Sequence, residues 1–379
     1  MRVGKLHLNI VRGLLHQARS VPLPRNRTAQ IGDLLATVLA GSWRRSPQSL
    51  QVSEASLSEI IPQLVGSMSG ALAWWKIRHT DLRASRAAIE LQQTYRSHSI
   101  GSKLREHSIK QVLGVLYSEG IEPILVKGWA IARLYPEPGL RPYGDIDLVV
   151  RPDQHADAQV AIRGLNVRYW IDLHRGFGRL DYRPPQELYM RSTIVKLDEL
   201  DVRVLAPEDH FRLLCTHMLH HSVHRPLWLC DIAAALEYRS RNFDWDVCLG
   251  KSKVRANWIT CAIGLANMLL GAEVAGTPVE GNQSELPRWL VSQVLKKWEA
   301  PYSMSQAPAT HRAEMARYLR DPRGLFGDLR RRWPDPIEAT VYVGGRFNDF
   351  PRVPFQVGEC AARAARFVAS LPKALRDER

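Results

Sequence analysis

Two aspartates one residue apart, Asp145 and Asp147, stand in the stretch Arg141-Pro-Tyr-Gly-Asp-Ile-Asp-Leu-Val-Val150. Asp145 to Val150 reads as a strand. Side chains alternate along a strand, so both carboxylates project from one face while Ile146 and Leu148 turn into the core. Two carboxylates on one rigid face can bind hard divalent cations such as Mg2+ through oxygen. Two such ions about 4 Å apart stabilise both the attacking and the leaving oxygen of a displacement at phosphorus. A third carboxylate on a neighbouring strand would complete the set. Asp172 is that candidate, in Tyr169-Trp-Ile-Asp-Leu-His174, with apolar neighbours at 171 and 173. Asp153 and Asp181 are weaker candidates, because their surroundings read as loops.

A grip for phosphate stands upstream, in Leu125-Val-Lys-Gly128. Glycine lets backbone approach phosphate closely, a helix N-terminus offers free N–H groups, and Lys127 offers positive charge. Arg141 is a further candidate for phosphate contact. The phosphate loop G-x-x-x-x-G-K-[ST] is absent.

These residues need elements to hold them. Ile124-Leu-Val126 reads as a short buried strand, Trp129 to Tyr135 as a short helix, Pro152 to Gly164 as a helix and Val167 to His174 as a third strand. Val202-Arg-Val-Leu205 is a candidate further strand. Before them, Ile109, Val112, Leu113 and Leu116 follow helical spacing within a helix over 103–118, which Gly120 closes. The first 84 residues and those from Pro207 onward read as mainly helical, with Pro207 and the acidic pair Glu208 and Asp209 marking a helix start. The expected architecture is α+β: a small mixed-sheet core over 85–206, flanked by helical regions over 1–84 and 207–379.

With the motifs in this order, the sequence resembles the DNA polymerase β-type nucleotidyltransferase superfamily, and more closely an uncharacterised bacterial nucleotidyltransferase family. The resemblance rests on Val126-Lys-Gly-Trp-Ala130, Leu134-Tyr-Pro136, the stretch 141–150, Asp172-Leu-His174 and Pro207-Glu-Asp209, within residues 85–250. It implies metal binding at Asp145, Asp147 and Asp172, with two Mg2+ ions or Mn2+ in their place, and nucleotide-phosphate binding near Lys127 and Gly128, to which Arg141 is the added candidate. It implies transfer of a nucleoside monophosphate from a nucleoside triphosphate to an acceptor, with release of pyrophosphate. His174 and His217 are candidates for nucleotide or acceptor contacts. The acceptor is open: protein, peptide, RNA or small molecule. Two departures stand out. Trp129 follows Gly128 where the wider superfamily usually has serine, and Arg175 follows His174 where an aromatic is frequent. The competing reading is a nucleotide- or nucleic-acid-binding protein that keeps the fold without turnover; a kinase-like phosphate transferase is a third.

Composition agrees with a globular protein: 379 residues, 45% hydrophobic and 24% charged. The net charge of +14 favours anionic partners without choosing among them. Five cysteines, at 215, 230, 248, 261 and 360, include no C-x-x-C pair, which argues against a disulfide framework and a thiolate zinc site and for a reducing cytoplasm. No apolar run is long enough to span a membrane. The basic segment 1–32 reads as a first helix packed on the body, with an amphipathic membrane-surface helix as the alternative. His210, His217, His220, His221 and His224 read as a polar helix face beside the cleft or at the surface, in preference to a transition-metal site. Asp231 reads as a partner for a nearby arginine or histidine. Trp74, Trp75 and the segment Arg330 to Trp333 read as core and surface rather than as base-stacking residues.

Overall fold

A computed structural model describes residues 28–165, 170–176, 183–281, 286–300 and 333–376. The chain starts with helices α1 (Thr28–Leu39), α2 (Glu54–Glu59), α3 (Ile61–Gly66) and α4 (Gly70–Ile77). A long helix α5 (Arg86–Ser118) follows. Ser85 starts it by accepting the Ala88 N–H at 3.1 Å, and Gly120, at φ +68°, lets the chain leave it. The alternating region comprises β1 (Ile124–Val126), α6 (Gly128–Ala132), β2 (Ile146–Val149), α7 (His155–Ile162), β3 (Ile171–His174), α8 (Pro185–Arg191), β4 (Thr193–Leu197) and β5 (Leu200–Val204). Helices α9 (Pro207–His220), α10 (Pro226–Glu237), α11 (Trp245–Leu249), α12 (Lys253–Leu270), α13 (Arg288–Glu299), α14 (Pro336–Tyr342) and α15 (Val353–Arg376) complete the described chain.

The described strands form one mixed sheet in the order β3-β2-β1-β5-β4. β1 runs antiparallel to β2 and parallel to β5; β2 runs parallel to β3; β4 and β5 form an antiparallel hairpin. Strand β4 had not been expected, although Thr193-Ile-Val-Lys-Leu197 is rich in β-branched residues. Its burial is weak, with Ile194 48% exposed, so it lacks the apolar run that marks the central strands.

One face of the sheet carries Leu125, Ile146, Leu148, Val202 and Val204. The stripe Ile109, Val112, Leu113 and Leu116 of α5 covers it, with Ala158 of α7. The other face carries Ile124, Val126 and Val149 under Leu188, Tyr189 and Leu213. Both faces are thus packed, and the second is the one on which Asp147 lies.

The two helical regions that flank the sheet in sequence share one hydrophobic core. Leu35, Leu39 and Leu72 from the first belong to the same cluster as Met218, Ile232, Ile263 and Val294 from the second. Trp43 Nε1 and Arg44 Nε each donate to Glu237 at 2.9 Å and fasten the two regions together. The β1–β2 connection also enters this core through Ile131, Tyr135 and Leu140. Gly139, at φ +89°, is required there, since a Cβ would stand 2.5 Å from the Ser99 backbone nitrogen of α5.

Where the connection turns back toward β2, Arg141 and Asp231 of α10 form a buried two-point fork. Arg141 Nε donates to Oδ1 at 3.0 Å and Nη2 to Oδ2 at 2.6 Å, while Tyr135 Oη donates to Oδ1 at 2.8 Å. Removing one partner of such a pair leaves a charge buried alone, which costs about 3–5 kcal/mol. We expect Asp231→Ala to lower the unfolding free energy by about that amount in urea denaturation, and Arg141→Met with Asp231→Leu to recover most of the loss.

Candidate active site

The sheet register builds the site. Val126 pairs across with Asp147, and Asp147 pairs on its other side with Asp172. Residues paired directly across neighbouring strands share a face, so both aspartates project from the face that packs Val126 and Val149. His174 follows Asp172 by two positions and lies on that face too. Its Nε2 is 3.2 Å from Asp172 Oδ2 and 3.4 Å from Asp147 Oδ1.

Lys127 closes the group from the end of β1. It stands at φ +51°, a conformation that costs a non-glycine residue on the order of 1–3 kcal/mol. Its Nζ lies 2.5 Å from Asp147 Oδ1. Gly128 follows at φ +30°, where an added Cβ would lie 3.4 Å from the Tyr143 ring and 3.6 Å from the Asp145 carbonyl oxygen. Helix α6 beyond it has five residues, too short for its dipole to carry the phosphate grip expected of it. Of the expected grip, the structure places Lys127 and the Gly128 turn beside Asp147.

Asp147 is 3% exposed. Burial alone would raise its carboxyl, but the hydrogen bond with His174 and the charge of Lys127 outweigh it and hold Asp147 below the ordinary carboxylate range. Asp145 precedes the first residue of β2 and is exposed at the strand entrance. Its carboxyl is raised by burial first and then by the like charge of Asp147, with Asp172 adding to it. The two carboxylates of the D-x-D pair are pushed in opposite directions, as happens where one of two neighbouring acids has claimed the available cations.

Ligand atoms of Asp147, Asp172 and His174 all lie within 4.8 Å of one another. Octahedral ligands at about 2.1 Å from one ion are separated by about 3 to 4.2 Å, so the residues fit a single divalent cation with small movements. Such an ion would also relieve the like charges at Asp145. Sequence reasoning had given His174 only a nucleotide or acceptor contact. The alternation that put Asp172 on the active face also put His174 there, and that signal was available.

The other expected residues are placed differently. Arg141 is 7% exposed and its guanidinium is committed to Asp231, with Nη1 also donating to the Pro142 carbonyl at 3.2 Å. It anchors the loop before Asp145 and does not present an open phosphate clamp. Asp231 is the arginine partner that its position suggested. Asp153 is exposed after β2, and Asp181 lies outside the described residues, as do residues 1–27 and 330–332.

Of the five histidines read as a polar face, His210 is buried, His217, His220 and His224 are half-buried and His221 is exposed. His210 is 7% exposed and burial pushes it to about 3. His217 is also driven far down, by burial first and then by the charge of Lys127. His217 and His221 pack against the Trp228 indole, with ring centroids 4.9 and 5.3 Å away. Among the described residues no three of these histidines form a metal-holding group.

A model of the family described as an uncharacterised nucleotidyltransferase matches residues 71–170 and 166–262, half of the chain. The chain belongs to that family. The match begins in α4, before the motifs, and ends in α12, so it takes in the sheet, the acidic group and the helices that carry Asp231 and Trp228. No curated protein and no solved structure gives a significant match.

Because the folded state holds the proton on Asp145 more tightly than the unfolded chain does, ionised Asp145 costs stability above its raised value. That cost disappears below the ordinary carboxylate value, where both states are protonated. We expect Asp145→Asn to raise the melting temperature at pH 7.5, with a gain that shrinks as the pH falls to 4, read by differential scanning calorimetry.

Proposed function

We propose that this nucleotidyltransferase moves a nucleoside monophosphate from a nucleoside triphosphate to an acceptor, with the carboxylate group at Asp145, Asp147 and Asp172 holding the divalent metal that the reaction needs. The observation that carries this is the lateral pairing of Asp147 with Asp172, which brings two carboxylates, His174 and Lys127 to one point on one sheet face. Family membership supplies the class of reaction.

In this reading Asp147, Asp172 and His174 hold the cation, and Asp145 binds a second one at the strand entrance. When bound, the metal supplies Lewis-acid polarisation of the phosphate oxygens. Mg2+ suits the carboxylates; His174 in the set makes Mn2+ an effective substitute. Lys127 turns from Asp147 toward the triphosphate and neutralises its charge, while the Gly128 turn gives the backbone close approach. The acceptor oxygen forms a bond to the α-phosphorus, the α–β bridging bond breaks, and pyrophosphate carries away the electron pair. Asp172, the more exposed of the paired carboxylates, takes the acceptor proton. The buried Arg141–Asp231 fork keeps the loop before Asp145 in place.

Five unpaired thiols, four of them buried, support a reducing cytoplasmic setting. Among the described residues no helix is long and apolar enough to cross a membrane.

Lysate incubated with each α-labelled nucleoside triphosphate should yield a labelled acceptor with wild-type protein. EDTA should remove the labelling, and Mg2+ or Mn2+ should restore it. Asp147→Asn should lower transfer by at least about 100-fold while the protein stays folded. Label appearing only from γ-labelled nucleotide would make the enzyme a kinase. Tight nucleotide binding with no transfer to any acceptor would make it a binding protein.

A further inference from the structure

The corner between α9 and α10 is built in a way that packing alone does not require. After His220 the chain turns through Ser222 and Val223, both at φ +55°. A β-branched residue at positive φ is an outlier, and Val223 is held there from outside, its carbonyl accepting the Trp298 indole N–H at 2.8 Å. The product of this turn is a ring cluster. His217 and His221 are 4.6 Å apart between centroids, and both lie against Trp228 near the start of α10. His221 is exposed and His217 and Trp228 are partly so, whereas almost all the rest of α9 is buried.

No side-chain hydrogen bond within the described residues uses the rings of His217, His221 or Trp228, and Nδ1 of His217 is enclosed without a partner. The rings are therefore not there to satisfy a polar network. Their place is set by the fork already described. Trp228 precedes Asp231 by three residues on α10 and shares its helix face, and Asp231 grips Arg141, four residues before Asp145. Burial first and then the charge of Lys127 lower His217, and burial followed by His224, His220 and Lys127 lowers His221 to about 4, so both imidazoles are neutral at physiological pH.

We propose that His217, His221 and Trp228 form the stacking surface for the nucleobase of the bound nucleoside triphosphate, whose phosphates reach the Lys127 end of the site. This rests on the nucleotidyltransferase reading above and adds the base site to it. Neutral imidazole and indole faces suit a base, which brings a π-face and no charge, and stacking of this kind tolerates any of the four bases. The phosphates face the cation at Lys127, so the two ends of one nucleotide meet the two chemistries they require.

The test compares the α,β-methylene analogues of ATP, GTP, CTP and UTP with inorganic tripolyphosphate, each titrated calorimetrically into the full-length protein with Mg2+. Wild type should bind at least one analogue more tightly than tripolyphosphate. His221→Ala, a change at an exposed side chain, and Trp228→Leu should each weaken analogue binding about tenfold, a typical loss for one stacked base, and leave tripolyphosphate binding unchanged. Equal weakening of both ligands, or no weakening in either variant, would overturn the stacking surface while the nucleotidyltransferase reading stands. Wild type that binds neither ligand would overturn both.

Discussion

Strand spacing is the constraint on which the site depends. Neighbouring strands lie about 4.8 Å apart, and the register places Asp147 directly beside Asp172. Two carboxylates that close, one of them buried, repel unless positive charge is brought between them. Lys127 brings its ammonium to Asp147 and His174 a hydrogen bond, and the like charge of Asp147 is still felt at Asp145. The strained backbone at Lys127 follows from the same demand, since its ammonium must turn back over the end of its own strand.

A sheet of short strands cannot hold such a group alone. The strands that carry it are three and four residues long, and the structure compensates by tying the β1–β2 connection into the helical body. Ile131, Tyr135 and Leu140 pack there, and the Arg141–Asp231 fork fixes the point at which the chain returns toward Asp145. A buried fork adds less net stability than its short distances suggest, because both ions lose their hydration. What it fixes is position: a guanidinium and a carboxylate meet in one planar geometry, so the loop has one place to sit.

The same fork joins two kinds of surface. On one side is the acidic group with Lys127; on the other are α9 and α10 with their histidine and tryptophan rings. The first side draws on three separate strands, and the helical body that supports the second is assembled from both ends of the chain. The short sheet thus depends on helices far away in sequence.

Much of this was legible in the residues themselves. Period-two alternation turned Asp147 away from the core residues Ile146 and Leu148, the apolar flanks of Asp172 turned it outward likewise, and helical spacing revealed the stripe at 109–116; these are local patterns, set by backbone geometry within a few residues, whereas Asp145 falls before β2 and outside the group of Asp147, Asp172 and His174. The start of α5 at Arg86 was not legible, because 86–102 is largely polar and its buried apolar residues are just Ala87, Ala88 and Leu91. Nor was the role of Arg141: its side chain could reach a phosphate or an interior carboxylate, and only the approach of α10 decided for Asp231. The histidines of 210–224 show the same limit, since a helical wheel ranks faces by polarity and cannot tell that packing buries His210 and leaves His221 exposed. The sequence by itself determined which residues are the candidates for holding a metal and a phosphate. The tertiary structure alone decided which cations meet which carboxylates, because partners such as Arg141 and Asp231 lie 90 residues apart and meet only when the sheet and the helical body pack.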